Sequence, residues 1–175
     1  MQPKERVEEI RVRTSPYTRY PVNITMAKRR PMAINSMQAL QQAIDSGCEN
    51  AVLLGNERCE ADGSGEIFSH LMSGLLECPE LTSGQEVITP ATAFTFADEA
   101  GQQVSERRIA CDEVYLAEEV FFAGTAAEVV PVRGLDGWII RTGQQAPVTE
   151  KLQATCVDQV MGRRDVNPLW PSCVS

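Results

Sequence analysis

Residues 119–140 read EVFFAGTAAEVVPVRGLDGWII, and this stretch decides the fold class. Glu119 to Ala123 forms a mostly apolar run of strand length that stops at a Gly-Thr pair. Two more apolar runs, Val129 to Val132 and Trp138 to Ile140, lie on either side of Asp136-Gly137. Asp-Gly between two such runs is a strong signal for a β-hairpin. The stretch therefore predicts a series of strands joined by tight turns.

Helical patterns are found on both sides of these strands. An amphipathic helix is predicted from an N-cap at Asn35 or Ser36 to a stop at Gly47, and Pro31 disfavours helix at the residue before it. Pro147 opens a last helix. This mixture of strands and helices predicts a mixed α/β domain, with helices packed around a mixed β-sheet core. The apolar positions of the first helix recur at Met37, Leu40 and Ile44.

Weaker patterns occupy the segments between these elements. Residues 73–87 contain glycine, proline and serine without periodicity, which is typical of a loop. Thr89-Pro90 has the composition of a helix start, and Gly101 is a suitable stop for that helix. Further strands are predicted at Ala51 to Leu54, from Ile67 and at Gln103 to Ile109, and a short helix is predicted over Asp112 to Glu118.

Composition limits the function classes. The 175 residues, 43% of them hydrophobic, are enough for one domain with a sizeable core. The formal net charge of -8 repels phosphate backbones, which argues against nucleic acid as a partner. No segment approaches the ~18 consecutive apolar residues of a membrane-spanning helix, and the charged start has no signal-peptide stretch, so we expect a soluble cytoplasmic protein without a membrane partner. The six cysteines are scattered without a C-x-x-C pair, which argues against a zinc site.

The candidate functional residues are ordinary when each is considered alone. Lys28 lies in a short basic segment, where a lysine is usually solvated. Asp62 precedes a glycine, as in many turns, and Thr89 has the sequence context of an N-cap. Thr125 and Ala126 belong to a tight turn between two strands. Their order and spacing along the chain carry more information than any one of them.

That order resembles the branched-chain aminotransferases, which are fold-type IV pyridoxal-phosphate enzymes. The strongest match is YLAEEVFFAGTAAEVVPVR at residues 115–133. A second match, EADGSGEIF at residues 60–68, is similar to the family's acidic loop, usually written E-G-x-G-E-N. Further matches, in the family's order, lie at Met26-Ala27-Lys28, Ile88-Thr89, Asp136-Gly137 and Pro147-Val148-Thr149.

The resemblance covers residues 15–155 and corresponds to the larger domain of the family. Residues 1–14 are then expected to be a charged lead-in, and residues 156–175 a divergent C-terminal tail. In the family, a smaller N-terminal domain and a second subunit cover part of the larger domain. We therefore expect a chain without that smaller domain to expose apolar surface at Ala51 to Leu54 and Glu119 to Ala123, and to form a homodimer or larger homo-oligomer.

The resemblance also implies a role for each matched residue. Lys28 is similar in position to the lysine that binds pyridoxal phosphate covalently and moves the substrate proton. Asp62 takes the place of the carboxylate beside the pyridine nitrogen. The backbone N–H groups of Ile88 and Thr89, together with the Thr125 hydroxyl, would bind the cofactor phosphate. The amides of Thr125 and Ala126 would face the substrate carboxylate.

The implied reaction transfers an amino group between a branched-chain amino acid and 2-oxoglutarate. The sequence departs from the family pattern at several positions: Arg29-Arg30-Pro31 follows the lysine where small residues are usual, Asp62 is one methylene shorter than glutamate, and Ile67 replaces the asparagine of the acidic loop. Two alternatives remain open within the fold, a D-amino-acid aminotransferase and an aminodeoxychorismate lyase. A third is a truncated, inactive remnant that acts only as a folded or self-associating domain.

Overall fold

The architecture is a mixed sheet with helices packed against it. The computed structural model describes residues 9–18, 30–54, 61–63, 66–78, 95–99, 101–124, 128–141, 147–161 and 163, with the backbone alone at 18, 30–33, 61–63, 111, 128 and 160. In chain order the elements are β1 (Ile10–Thr18), α1 (Arg30–Asp45), β2 (Asn50–Leu54), β3 (Ala61–Gly63), β4 (Ile67–Met72), β5 (Leu75–Cys78), α2 (residues 95–99), β6 (Gln103–Glu106), α3 (Cys111–Leu116), β7 (Glu119–Gly124), β8 (Glu128–Leu135), β9 (Trp138–Ile139) and α4 (Pro147–Val160).

The described strands form one nine-stranded sheet. Its order is β3-β2-β1-β8-β7-β4-β5-β6, and β9 pairs with β8. Strands β1 and β2 are parallel and are connected through α1, which packs on both of them. Strands β4, β7 and β8 are antiparallel neighbours. The expected mixed α/β fold with a mixed sheet core is therefore confirmed.

Strand β8 joins the parallel and antiparallel parts of the sheet. Its first half pairs antiparallel with β7, as in the pair Phe121 and Pro131. From Val132 onward it pairs in parallel with β1, beginning at Ile10. Proline has no N–H to donate to a strand ladder. Pro131 thus lies at the point where the pairing of β8 with β7 ends and its pairing with β1 begins.

The N-terminal strand β1 was not indicated by the sequence patterns. Residues 10–14, assigned above to a charged lead-in, belong to this strand, and it lies between β2 and β8 in the sheet interior. Val12 is fully buried, whereas Arg11 and Arg13 are exposed. The charges are tolerated because successive side chains of a strand point to opposite faces.

Helix α1 begins earlier than predicted and buries a different face. It starts at Arg30, and Pro31 is accommodated in the first turn, where a missing N–H breaks no helical hydrogen bond. Ala39 and Ala43 are the buried residues, whereas Met37 and Ile44 are 69% and 52% exposed. Small alanine side chains let the helix approach β1 and β2 closely. The spacing of apolar residues alone did not distinguish the buried face with Ala39 and Ala43 from the neighbouring face with Met37 and Ile44.

Two hairpins are closed by two-residue turns. The predicted Asp136-Gly137 turn between β8 and β9 is confirmed, with φ of 52° and 83°. A second hairpin links β4 and β5 through Ser73-Gly74, with φ of 52° and 77°. Positive φ at both central residues is the type I′ geometry that suits the twist of paired strands. Because β5 occupies Leu75–Cys78, the prediction of a loop over residues 73–87 is wrong for this part; residues 79–87 lie outside the described residues.

The remaining predicted elements agree in kind with the structure. The strands expected at Ala51 to Leu54, from Ile67 and at Glu119 to Ala123 are confirmed, as is the helix from Pro147. Gly101, with φ of 78°, follows helical residues 95–99 as the expected stop, whereas Thr89-Pro90 lies outside the described residues. The sixth strand ends at Glu106, before the expected Ile109, and the short helix spans Cys111–Leu116.

Strand β7 is buried on both faces. All six of its residues are buried, and Phe121 and Phe122 belong to different hydrophobic clusters. Phe122 meets Phe68 of β4 edge to face, with ring centroids 5.3 Å apart. The expectation that Ala51 to Leu54 and Glu119 to Ala123 expose apolar surface is therefore wrong, because helices α1 and α4 cover the sheet there. No helix in the described part of the chain is long and apolar enough to cross a membrane.

A buried carboxylate fastens α4 to the sheet. Glu119, at the start of β7, accepts hydrogen bonds from the backbone N–H groups of Val148 (3.1 Å) and Thr149 (2.7 Å) and from the Thr149 hydroxyl (2.6 Å). The first N–H groups of a helix have no partner within it, and the helix dipole favours negative charge at this end. One side chain therefore caps the helix and fixes it to the strand.

Replacing Glu119 by alanine is expected to lower the free energy of unfolding by about 2–4 kcal/mol, because two buried donors and one partly buried donor lose their acceptor. Urea unfolding measures the change. Glu118→Ala is the matched control, since no hydrogen bond of the Glu118 carboxylate is found among the described residues, and it should cost less than about 1 kcal/mol. Equal losses in the two variants would contradict the role given to Glu119.

Candidate functional site

Asp62 lies on a short edge strand. The β2–β3 pairing places Asp62 opposite Leu53, and Gly63 opposite Val52. The sequence indicated a loop at Asp62-Gly63, which is typical of this residue pair. Pairing with the edge of β2 instead gives these residues an extended backbone. The backbone position of Asp62, the residue predicted to contact the ring nitrogen, is thereby fixed relative to the sheet.

The segment that follows Asp62 packs against the end of β7. A Cβ atom built on Gly124 would lie 2.9 Å from Cγ of Glu66, closer than two carbons can approach. Glycine is therefore required for this contact. The strands agree with it, because Ile67 pairs with Ala123 at the start of the β4–β7 ladder. Glu66 also accepts a long hydrogen bond (3.4 Å) from the side-chain amide of Asn50 on β2.

These contacts bring two of the matched motifs together. Asp62 is four residues before Glu66, and Gly124 is the residue before Thr125. Glu66 of the acidic motif and Gly124 of the Gly-Thr-Ala-Ala motif, 58 residues apart in the chain, are therefore neighbours in space. The sequence motifs did not identify Glu66 as the contact residue, although it belongs to the acidic motif.

Lys28, Ile88, Thr89, Thr125 and Ala126 lie outside the described residues. Their predicted roles accordingly stay predictions. In the sequence, Lys28 lies two positions before Arg30, where α1 begins.

A second group of ionisable side chains, two of them buried and two partly buried, lies near β7. His70 on β4 is fully buried, and its Nε2 lies 3.0 Å from Oε2 of Glu77 on β5, close but not aligned as a hydrogen bond. Arg107 donates to both oxygens of Glu77, at 2.6 and 2.5 Å, and to Glu113 at 2.9 Å. Glu113 also accepts from the backbone N–H of Ala110 at the start of α3. The network joins β4, β5 and α3 around one guanidinium.

The charges of this network have definite preferences. The hydrogen bonds from Arg107 hold the pKa of Glu77 and of Glu113 below the usual range. Burial lowers the pKa of His70, although the Glu77 carboxylate acts in the opposite direction. Burial likewise raises the pKa of the neighbouring Cys78 thiol to about 12, so it stays uncharged. Neutral His70 and ionised glutamates are therefore the forms that the fold favours.

The ancestry of the chain follows from a match to a known family. The profile of the family described as "Amino-transferase class IV" matches residues 1–135, most of the chain. The chain belongs to the class IV aminotransferases. The resemblance that the sequence motifs indicated is confirmed.

Individual relatives narrow the similarity to one group of this family. The branched-chain-amino-acid aminotransferase of Pseudomonas aeruginosa is 46% identical over 167 residues, which are 94% of this chain and 54% of that protein. A probable branched-chain-amino-acid aminotransferase of Aquifex aeolicus is 36% identical over 78% of this chain and 45% of its own length. The chain thus spans about half the length of these class IV relatives.

Solved structures give the same result for the fold. The branched-chain amino acid aminotransferase from Thermobaculum terrenum, in its PLP form, has a TM-score of 0.84 at 30% identity over 91% of this chain and 53% of that one. The enzyme from Thermoproteus uzoniensis with norvaline has a TM-score of 0.83 at 32% identity, over 91% and 54%. The fold is that of part of these class IV aminotransferases.

The buried network predicts that stability falls as the pH is lowered from 6.5. The unfolded chain takes up a proton on His70 near its ordinary pKa of 6.5, whereas the folded chain resists it to lower pH. Unfolding is therefore favoured increasingly below pH 6.5, and protonation of Glu77 and Glu113 adds to the loss below their ordinary pKa of 4.5.

Urea midpoints between pH 7.5 and 5 measure this dependence. His70 is the single histidine of the chain, so His70→Phe should flatten the profile between pH 6.5 and 5 whatever its effect on absolute stability. An unchanged slope in that variant would show that another group is responsible.

Proposed function

We propose that the chain forms the larger domain of a pyridoxal-phosphate-dependent aminotransferase that acts on a branched-chain amino acid and 2-oxoglutarate. The observation that carries this proposal is the contact between Glu66 and Gly124, which brings the segment after Asp62 against the residue before Thr125. A cofactor held by its ring nitrogen at one motif and by its phosphate at the other needs such proximity. The names of the relatives supply the substrate class.

The residues present fit that cofactor. They offer an amine at Lys28, a carboxylate at Asp62 and a hydroxyl at Thr125, the three types of group that a pyridine aldehyde phosphate requires. Because residue 124 is glycine, no side chain of this residue lies between the end of β7 and Glu66. When bound, pyridoxal phosphate supplies an electron-withdrawing ring that acidifies the substrate's α-carbon.

The side chains of this chain would divide the remaining work. Nζ of Lys28 holds the cofactor and carries the proton that leaves the α-carbon. The Asp62 carboxylate keeps a proton on the ring nitrogen, because a negative charge beside that nitrogen raises its basicity. Its side chain is one methylene shorter than glutamate, so its reach is shorter by about an ångström.

Backbone groups would bind the two anions. The N–H groups of Ile88 and Thr89 and the Thr125 hydroxyl bind the cofactor phosphate, since unpaired backbone donors favour an anion. The amides of Thr125 and Ala126 bind the substrate carboxylate. The hydrogen bonds of Glu119 support this arrangement indirectly, because they fix the start of the strand that leads to Thr125.

A second candidate is a non-catalytic domain that folds and self-associates. One observation favours it: the positively charged Arg29-Arg30 follows Lys28, where small residues are usual in the family, and this departure lies next to the proposed chemistry.

Reduction with borohydride in the presence of pyridoxal phosphate should attach the cofactor to Lys28. Peptide mass spectrometry locates the label, and the other two lysines, Lys4 and Lys151, serve as internal controls. Lys28→Ala should abolish specific labelling and lower transamination at least about a hundredfold. Labelling spread over all lysines, or unchanged in Lys28→Ala, would support the non-catalytic candidate.

Asp62 variants test the ring-nitrogen contact separately. Asp62→Ala should lower kcat more than cofactor retention, whereas Asp62→Glu should maintain or raise kcat because it restores the family's reach. Equal activity of the three proteins would contradict the role of Asp62 without affecting the role of Lys28.

We also propose that the chain self-associates. The surface involved lies on α1, and not on the strands at Ala51 to Leu54 and Glu119 to Ala123, which are largely buried. The exposed residues Ile34, Met37 and Ile44 follow one side of α1 at helical spacing. Sedimentation should therefore show a dimer or larger species, and Met37→Glu should shift it toward monomer. Gln38→Glu, an exposed change on the same helix, is the charge-matched control. A monomer at all concentrations would contradict the expected homo-oligomer.

A further inference from the structure

A cleft opens where the end of α1, strand β1 and the β8–β9 hairpin meet. Its volume is about 710 Å³, within the usual range for small-molecule sites. Three arginines, Arg11, Arg13 and Arg133, line it together with Trp138 and Ile139.

The arginines are only partly neutralised. Arg11 and Arg133 share one carboxylate, because Oε1 of Glu49 lies 3.1 Å from Nη2 of Arg11 and 3.7 Å from Nη2 of Arg133. Arg13 donates to the hydroxyl of Ser46, and no carboxylate pairs with it among the described residues. The cleft thus concentrates positive charge in a chain whose formal net charge is -8.

The carboxylate of Asp136, which lines the cleft, is already engaged. Asp136 accepts hydrogen bonds from the backbone N–H and the hydroxyl of Thr14, at 2.7 and 2.6 Å, and from the Tyr115 hydroxyl at 2.8 Å. These three donors occupy both of its oxygens. Asp136 therefore holds the hairpin to β1, and no ion pair between it and Arg13 is found among the described residues.

The hairpin presents an apolar surface at the same cleft. Trp138 and Ile139 follow the Asp136-Gly137 turn, and their side chains are 72% and 71% exposed. A Cβ at Gly134 would lie 2.9 Å from the carbonyl oxygen of Trp138, so the absence of a side chain there allows the two strands to approach. A large indole held in this way beside guanidinium groups offers a flat surface for stacking.

We propose that this cleft binds a small organic anion with a flat or apolar body. Guanidinium groups match the geometry of carboxylate and phosphate oxygens alike, so the shared chemistry is an oxyanion attached to a hydrophobic group. Arg13 provides the charge that no carboxylate neutralises among the described residues, and Trp138 covers the body of the ligand. The proposal does not depend on the aminotransferase activity.

Fluorescence of Trp138 reports binding directly. The chain has two tryptophans, so the variant Trp170→Phe leaves Trp138 as the single reporter. Phenyl phosphate and phenylacetate should each change its emission saturably, and their relative affinities distinguish a phosphate from a carboxylate ligand. Inorganic phosphate should bind at least about tenfold more weakly because it lacks the stacking group. Phenethylammonium, with a similar body and the opposite charge, should not bind.

Two substitutions with opposite expected effects make the test independent of folding defects. In the same background, Arg13→Gln should weaken the binding of phenyl phosphate about tenfold, whereas Glu49→Gln should strengthen it about threefold by releasing Arg11 and Arg133. Arg163→Gln, which removes an exposed arginine outside the lining, should leave affinity unchanged.

Three results would overturn the proposal. They are equal affinity in the parent and in Arg13→Gln, equal binding of phenethylammonium, and protection of Trp138 from iodide quenching without any added ligand. The last result would mean that a second copy of the chain already covers the cleft. All of these measurements are made without pyridoxal phosphate, so failure of the proposed transamination would not affect them.

Discussion

The buried carboxylate of Glu119 is the contact on which the arrangement of the domain depends. The side chain of Glu119 caps helix α4, and its backbone begins the fully buried strand β7. Helix α4 and strand β7 therefore have one fixed position relative to each other. The strand then carries this position to Gly124, against which Glu66 packs. A buried charge is tolerable when several donors satisfy it. Here these donors also determine where the proposed site is built.

Local signals allowed much of the fold to be predicted from the sequence. The Asp136-Gly137 hairpin and the helix from Pro147 depend on residues adjacent in the chain, and both are present. Strand β1 depends on distant partners and was missed, although the alternation in Ile-Arg-Val-Arg from Ile10 to Arg13 is a strand pattern. The buried face of α1 was mistaken because alanine contributes little to an apolar pattern, while its small size allows the closest packing.

Less of the site could be predicted, because a site is defined by distances across the chain. Motif order identified Asp62, and the sheet places its backbone on a strand, yet nothing local indicates that Glu66 meets Gly124. The arginine cleft shows the same limit. Arg13 and Arg133 are 120 positions apart, and only the pairing of β1 with β8 makes them neighbours. Single charged residues in the sequence gave no sign of that concentration of charge.

The parallel pairing of β1 with β8 has a consequence for how the chain is made. Thr14 and Asp136, which hydrogen-bond across this part of the sheet, are separated by 122 residues. During synthesis from the N-terminus, one edge of the central strand must therefore wait until the chain through Asp136, 122 residues after Thr14, has left the ribosome. Non-local closures of this kind are slow, and an open strand edge invites pairing with other chains in the meantime. The charged side chains that alternate along β1 would discourage such premature partners at an edge that is later sealed.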